Sequence, residues 1–450
     1  MNRDYDIVVV GGGPAGITAA IAGAELGLRT CLLERNSYAG GVAVTGLPWH
    51  GFASYGGEPL LKGIPVRIHK KLMALGGSSD ILLCSAHGGY ISTDPETVKL
   101  VFEEELEKAG VDVFLYNSFA EVTMKGKQIV SVTCANNEGM VQYNGKVFVD
   151  ATGDGSVGAA AGCAFEKGDP QGLMQPVTMV LRLGNIDFPA FKKYIAAHPE
   201  ECSPHEGFNA RIELGHILNQ EQFIFIGMPS LIKKAQEENG YKNSVDRISF
   251  TANPIGGTAT INCVRQHNID GTNNRDISKA EFRGRRQAME LYHFFRQFIP
   301  GFSESIVLCV GPQIGIRETR RFIAKDRLTR SMAESGAVRP DSVSLGQYAI
   351  DIHNEKTSSI SFTPLKKAYG IPLGALVTDE CPNLVFSGRN ISTDRDAFAA
   401  MRVIGTCMGI GQASGIIAAL AARNSLDVPG VTAGDYQAAA ESLYKKGETR

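Results

Sequence analysis

Ile7-Val-Val-Val10-Gly11-Gly12-Gly13-Pro14-Ala15-Gly16, near the N-terminus of a 450-residue chain, is the stretch that decides the fold. Four consecutive β-branched residues are what a parallel strand buried on both faces requires, and three glycines end it. The spacing G-x-G-x-x-G leads directly into an alanine-rich run that predicts a helix over 15–26, with Gly27 as C-cap and a second strand over 29–33. Gly11 makes the tight turn, Gly13 lets the backbone approach a pyrophosphate, and Gly16 lets the helix pack closely on the strand. The helix start at Pro14 and Ala15 leaves N–H groups aimed at an anion. Glu34 ends the second strand 18 residues after Gly16, where a carboxylate accepts hydrogen bonds from a ribose diol. Together these features predict a bound dinucleotide.

Downstream, Asp94 as N-cap and Pro95 at the first helical position predict a helix over 95–107 that stops before Gly110. Short β-branched and aromatic runs over 111–149 read as an antiparallel meander, after which a buried strand returns over 147–152. Residues 168–364 differ in character, with most of the histidines, alternating strand-like runs and one long helix expected over 278–298. From 365 the pattern reverts to strand, glycine turn and alanine-rich helix, over 384–389 and 397–423. No fixed-period repeat is visible.

A chain of this length exceeds the roughly 250–300 residues at which one core stops growing, so two domains are expected. With 43% hydrophobic and 20% charged residues and a net charge of -2, the composition is that of a globular protein and gives no sign of a nucleic-acid partner. The nine cysteines are scattered and never spaced C-x-x-C, which argues against a disulfide framework, a metal site or an iron-sulfur cluster and favours a cytoplasmic location. The N-terminus shows no secretory signal, and the apolar stretch 415–422 is too short to span a membrane and reads as a buried helix. Oligomeric state is not readable here.

The run Asp6-Ile-Val-Val-Val-Gly-Gly-Gly-Pro-Ala-Gly-Ile-Thr-Ala-Ala20, with Leu33-Glu34-Arg35 and the doublet Gly40-Gly41, resembles FAD-dependent oxidoreductases of the glutathione-reductase superfamily. It is similar above all to the branch containing the flavoprotein subunits of succinate dehydrogenase and fumarate reductase. Asp150-Ala-Thr-Gly-Asp-Gly155, Gly315-Ile-Arg-Glu-Thr-Arg-Arg321, and Gly388-Arg-Asn-Ile-Ser392 through Gly415 resemble a bacterial FAD-dependent oxidoreductase family of that branch. The resemblance implies FAD contacts from Glu34 and Arg35, and from Gly40, Gly41, Val42 and Thr45 beside the flavin ring. It places Ala120 at the adenine, Thr152, Gly153 and Asp154 over the dinucleotide, and Gly388 and Arg389 near the pyrophosphate and ribityl chain. It also implies a helix starting around Gly409, with Gly411 and Gln412, directed at the N1/O2 edge of the flavin, where a helix N-terminus stabilises the negative charge of reduction. Covalent members of the branch attach flavin through a histidine before the glycine doublet. Asn36-Ser-Tyr-Ala39 stands there instead, so non-covalent FAD is expected.

Gly153-Asp-Gly-Ser-Val-Gly158 repeats the glycine spacing but lacks an acidic residue about twenty positions on, so no separate nicotinamide-nucleotide domain is expected. Cys407, near a helix start, is read as a small packed residue. Hydride transfer needs a cation to hold an anionic or carbonyl group and an acid or base for the proton. Arg265, His267, Arg317 and Arg320 are the candidates, with His50 a weaker one; the Arg-Glu-x-x-Arg spacing over 317–321 alternatively marks a helical ion-pair network.

The fold expected is α/β. A Rossmann-like FAD-binding domain, with a parallel sheet and inserted β-meander, comprises 1–167 and 365–450, and an α+β substrate domain over 168–364 closes over the flavin. The activity expected is hydride transfer between flavin N5 and a small organic substrate. A flavin-carrying electron-transfer subunit would have a vestigial middle domain, and a tRNA-modifying flavoprotein would need a basic surface.

Overall fold

The computed structural model describes residues 3–85, 87–204, 208–239, 246–356 and 360–448. The apolar run around Ile7 forms the strand Asp4–Val10, paired in parallel with Thr30–Leu33 on one side and the end of Gly139–Asp150 on the other. Asp112–Phe114 and Leu384–Phe386 extend this parallel sheet at its two sides. Ile7, Val8 and Val9 are fully buried, as a run covered on both faces must be. The helix Pro14–Glu25 follows the glycine turn and packs against the helix Ile404–Asn424 at very short range. A Cβ on Gly411 would lie 2.0 Å from the Ala15 carbonyl oxygen, and one on Gly415 would lie 2.2 Å from that of Ala19. Thr18 Oγ1 donates across this contact to the Met408 carbonyl at 2.8 Å.

The meander is present, but its division differs from expectation. Ser118–Lys125, Gln128–Asn136 and Gly139–Asp150 form it, whereas Asp112–Phe114 belongs to the parallel sheet. Gly139–Asp150 is one 12-residue strand whose first half pairs antiparallel in the meander and whose last residues pair in parallel with Asp4–Val10. Polar Asn144-Gly145-Lys146 makes it look like two strands. Gly145 instead keeps the sheet tight, since a Cβ there would lie 2.8 Å from Val8 Cγ2.

The second sheet has five strands, in the order Ile224–Gly227, Ile248–Ala252, Ala259–Gln266, Val177–Gly184 and Ile306–Val310, all antiparallel. Alternation along Val177–Gly184 sends Val177, Met179, Leu181 and Leu183 into a core with Phe191, Phe225, Phe250 and Phe295. Thr178 and Val180 face the opposite way, toward the first domain's glycine turns. The long helix is Asn274–Phe298, starting earlier than expected because Asn273 caps it, accepting from the Arg275 and Asp276 amides. This second core ends at Ile314, while Phe322, Leu328, Val343 and Leu365 already pack in the first. The chain therefore rejoins the first core well before residue 365.

Two helical expectations fail. Residues 316–319 form no helix, contrary to the alternative reading of the arginine spacing, and lead into the strand Arg320–Phe322, paired with Phe165–Lys167. The helix expected over 397–423 is two helices, Arg395–Met401 and Ile404–Asn424, separated at Arg402 and Val403. Val403 is extended and caps the second helix, a break that neither glycine nor proline announces. The 21-residue Ile404–Asn424 is long and apolar enough to cross a membrane by length and composition, and 94% of its apolar window is buried inside the protein.

Candidate active site

A cleft of about 790 Å³ lies between the glycine turns of the first sheet and the Thr178 face of the second. On the first wall Gly11 adopts φ +102°, and a Cβ there would meet the Ala151 carbonyl oxygen at 2.5 Å. A Cβ on Gly16 would stand 1.8 Å from the Gly11 oxygen, so Gly16 supports the turn from below and does not line the cleft. Gly13 differs: nothing lies within 4 Å of its would-be Cβ, and it opens onto the cavity beside Pro14 and Ala15. This is the open backbone cradle that a pyrophosphate requires.

Glu34 is buried, with Oε2 accepting from the Gly12 amide at 2.6 Å and Oε1 from the Asn36 amide at 2.8 Å. The carboxylate thus anchors the glycine loop and faces the cleft, with lone pairs left for a ribose diol. Arg35 lines the same end. Gly41, Val42 and Thr45 line the next stretch, while Gly40 is set back, its amide donating to the Gly12 carbonyl at 2.7 Å. Thr152, Gly153 and Asp154 form the facing turn. Arg389 Nη2 donates to Asp154 Oδ1 at 2.6 Å, and a Cβ on Gly153 would lie 3.1 Å from that guanidinium. Gly388 lines the cleft at φ +80°, with Ala15 Cβ 3.0 Å from its would-be Cβ. The open cradle, the half-satisfied carboxylate and the flanking guanidinium fit the phosphates and ribose of FAD.

Gly153–Gly158 forms no second nucleotide fold. It leads into the five-residue helix Ser156–Ala160, where a Cβ on Gly158 would meet the Phe322 ring at 2.4 Å.

Several expected contacts lie elsewhere. Ala120 is exposed at an irregularity in the pairing of Ser118–Lys125, while its neighbours Ser118 and Phe119 line the cleft. The helix directed at the cleft begins at Ile404, not around Gly409. Val403, Ile404 and Cys407 present its N-terminal turn there. Gly409 packs on Ser344 and Leu61, and Gly411 on Ala15. Gln412 accepts from the Ile64 amide at 2.8 Å and donates to the Lys62 carbonyl at 3.2 Å, capping the helix Ile64–Ala74. Burial pushes the Cys407 thiol up to about 12, the opposite of an activated thiolate.

Opposite this wall stands a cluster of charged side chains. Arg317 Nη1 donates to the Pro176 carbonyl at 2.7 Å, and no carboxylate lies within ion-pair distance of it among the described residues. Burial, then repulsion from Arg402 and Arg265, lowers its pKa to about 9. Arg402, at the break between the two C-terminal helices, donates to the Asp351 carbonyl at 2.9 Å and to Gln175 Oε1 at 3.2 Å, with Asp351 Oδ2 at 3.7 Å. His353 Nε2 lies 3.3 Å from the same oxygen. Burial opposes ionisation of Asp351, but His353, Arg402 and Arg317 outweigh it and hold the carboxyl well below its usual range. Burial lowers the His353 pKa to about 3 despite Asp351, so the ring is neutral. Its Nδ1 is buried and has no hydrogen-bond partner among the described residues. His50 and Tyr348 complete this wall, His50 held neutral by burial and by His87.

Of the four candidates, only Arg317 lines the cleft. Glu318, the alternative partner considered for it, is bound by Arg321 at 2.5 Å and by Arg395 at 3.2 Å, so the ion-pair network exists without Arg317 and without a helix. Arg320 donates to the Asp154 carbonyl at 2.8 Å and covers the Phe165 ring, outside the cleft. His267 Nδ1 meets the Glu355 carbonyl at 3.0 Å, also outside. Arg265 lines a smaller adjoining cavity. Sequence reasoning missed Arg402, Asp351 and His353. Asp351-Ile-His353 shows the i, i+2 spacing that puts two side chains on one face of a strand, the one signal that marks them.

A Rossmann-like sheet with a glycine cradle, a ribose-side carboxylate and a second sheet closing the cleft define an FAD-dependent oxidoreductase. The chain belongs to the family described as FAD dependent oxidoreductase, which it matches over residues 6–442. The digeranylgeranylglycerophospholipid reductase 2 of Methanopyrus kandleri is 27% identical over 162 residues, 35% of this chain and 40% of that protein. The mitochondrial dihydrolipoyl dehydrogenase of Schizosaccharomyces pombe is 49% identical over 43 residues, 10% of this chain and 8% of that one. The matches therefore span less than half of these relatives. A geranylgeranyl bacteriochlorophyll reductase-like structure from Thermoplasma acidophilum aligns with 99% of this chain and 84% of its own, at 12% identity and a TM-score of 0.49.

Proposed function

We propose that the protein holds FAD non-covalently along the glycine wall and dehydrogenates or reduces a small organic anion bound by Arg317 and Arg402. The carrying observation is that Arg317 is half-buried at the cleft with only a carbonyl for a hydrogen-bond partner among the described residues. A half-buried cation beside other guanidiniums and without an ion-pair partner is poorly compensated, and a carboxylate or enolate oxygen in the cleft relieves that cost. Bound FAD supplies the hydride acceptor or donor. The two guanidiniums orient the substrate and stabilise negative charge as it develops. His353 Nε2–H donates to ionised Asp351 and so helps to hold the carboxylate beside Arg402. The N-terminal turn of Ile404–Asn424 favours negative charge at the same end of the cleft.

Within its superfamily we place the chain nearest the succinate dehydrogenase and fumarate reductase flavoproteins, on the strength of 150–155, 315–321 and 388–415. The scattered cysteines, none of them paired in a disulfide among the described residues, favour a reducing, cytoplasmic compartment.

The test is anaerobic mixing of the flavin-loaded protein with small carboxylic acids and their amides, read as loss of flavin absorbance. Bleaching by an acid at least ten times faster than by its amide is expected. Equal rates for acid and amide would overturn the proposal.

A further inference from the structure

Beside the cleft lies a second cavity of about 110 Å³, which shares His50, Tyr348, Asp351 and His353 with it. Its making follows from strand alternation. Phe225 points into the core of the second sheet, so Ile224 and Ile226 point the other way, where they join a separate apolar cluster. Ser249, between buried Ile248 and Phe250, faces the same side. The far wall is aromatic. His87 stacks on Tyr348 with ring centroids 5.2 Å apart and planes 5° from parallel, and it meets the Phe208 and Phe362 rings edge-on at 4.8 Å and 5.0 Å. His50 is held neutral, and its Nδ1 is buried with no partner among the described residues. Arg265 and Asp351 are the charged residues along this cavity.

We propose that this annex selects the substrate by its tail: an anion whose head rests at Arg317 and Arg402 and whose body is a flat or short apolar group, no larger than one small ring. The inference rests on the proposed function and adds the substrate class to it. An apolar cavity of about 150 Å³ accepts benzene. The annex is smaller, which limits the tail to about a five-membered ring or a four-carbon chain. Tyr348 and the two imidazoles offer flat faces to such a group, and His50 Nδ1 offers it one hydrogen bond.

The experiment titrates the FAD-loaded protein with unreactive carboxylates, namely acetate, butyrate, cyclopentanecarboxylate and 2-naphthoate, and reads the change in flavin absorbance. Affinity should rise about fourfold per buried methylene from acetate to butyrate, hold for cyclopentanecarboxylate and fall for naphthoate. Ile226→Trp, which plugs the annex, should erase the gain from the tail. Ser249→Leu is the smaller plug to use if the tryptophan variant loses flavin. Affinity independent of tail, or a gain that survives both plugs, would overturn the annex. Acetate binding that weakens in Arg317→Lys while tails make no difference would overturn the annex alone. Acetate binding indifferent to Arg317, or no binding by any of the four acids, would overturn the proposed function with it.

Discussion

The two walls of the cleft are built to hold their ligands by different means. The first presents backbone. Gly13 gives open approach, Gly11 and Gly41 make the close turns around it, helix starts give N–H groups, and Glu34 is locked in place by the Gly12 and Asn36 amides. The second presents side chains drawn from separate segments: Arg317 after the second sheet, Asp351 and His353 on one short strand, and Arg402 at a helix break. Each turn of the backbone wall is formed by a few neighbouring residues, and contacts such as Gly12 to Glu34 tie the turns together. The side-chain wall exists only once three distant segments have folded together, and its charges are balanced only in part. That division suits a shared cofactor on one side and a particular substrate on the other.

The largest effect should come from disturbing the charged wall. Asp351→Asn removes the carboxylate that faces Arg402 and His353, and breaking a buried ion pair costs about 3–5 kcal/mol. Because folding depresses the pKa of Asp351, its contribution is present above the unfolded value of about 3.9 and is lost as pH falls below it. The gap in thermal stability between wild type and variant should therefore be widest and constant well above pH 4 and should begin to shrink as pH falls through about 3.9. A gap that does not change with pH would mean that Asp351 is not ionised in the fold. On the backbone wall, Gly16→Ala places a methyl 1.8 Å from the Gly11 oxygen, so the turn must open. FAD affinity should fall by about a hundredfold, or about 2.7 kcal/mol, as measured by flavin released on gel filtration. Retained flavin would show that the turn tolerates spreading. The smallest effect sharpens the comparison by locating a residue that belongs to neither wall. Gln412→Ala should lower stability by about 1 kcal/mol through loss of the cap on Ile64–Ala74 and leave the flavin spectrum unchanged. A spectral shift would return Gln412 to the flavin.

This difference also decides what could be read from the chain. The glycine turn, its helix and Glu34 are legible because the physics that needs them acts over a few residues, and the same holds for the turn at 152–154. The strand Gly139–Asp150 was harder, since one strand serves two pairings and a polar stretch interrupts its pattern. The break at Arg402 was not legible at all. Residues 395–424 form one alanine-rich run, and what separates the helices is tertiary, with Arg402 held by Gln175 and Asp351 from other segments. Arg317 was singled out, but with a helical neighbourhood that the strand pairing of Arg320–Phe322 replaces. Gly409, Gly411 and Gln412 have the composition of a cofactor-binding helix start, yet close helix packing and a remote cap account for all three.

The two walls hold cofactor and substrate separately, and a crossed measurement on Glu34→Gln and Arg317→Lys tests that separation most directly. For each variant, the FAD dissociation constant is measured, and then the rate of flavin bleaching at saturating FAD with the acid that reduces the wild type fastest. Glu34→Gln should weaken FAD binding by about ten-fold to a hundredfold, the worth of charge-assisted hydrogen bonds, and leave the bleaching rate within about twofold. Arg317→Lys keeps the charge but loses the bidentate fork, so FAD binding and melting temperature should hold while bleaching slows at least about ten-fold. An Arg317→Lys protein that bleaches at the wild-type rate, or that loses FAD as readily as Glu34→Gln does, would contradict the assignment of the second wall to the substrate.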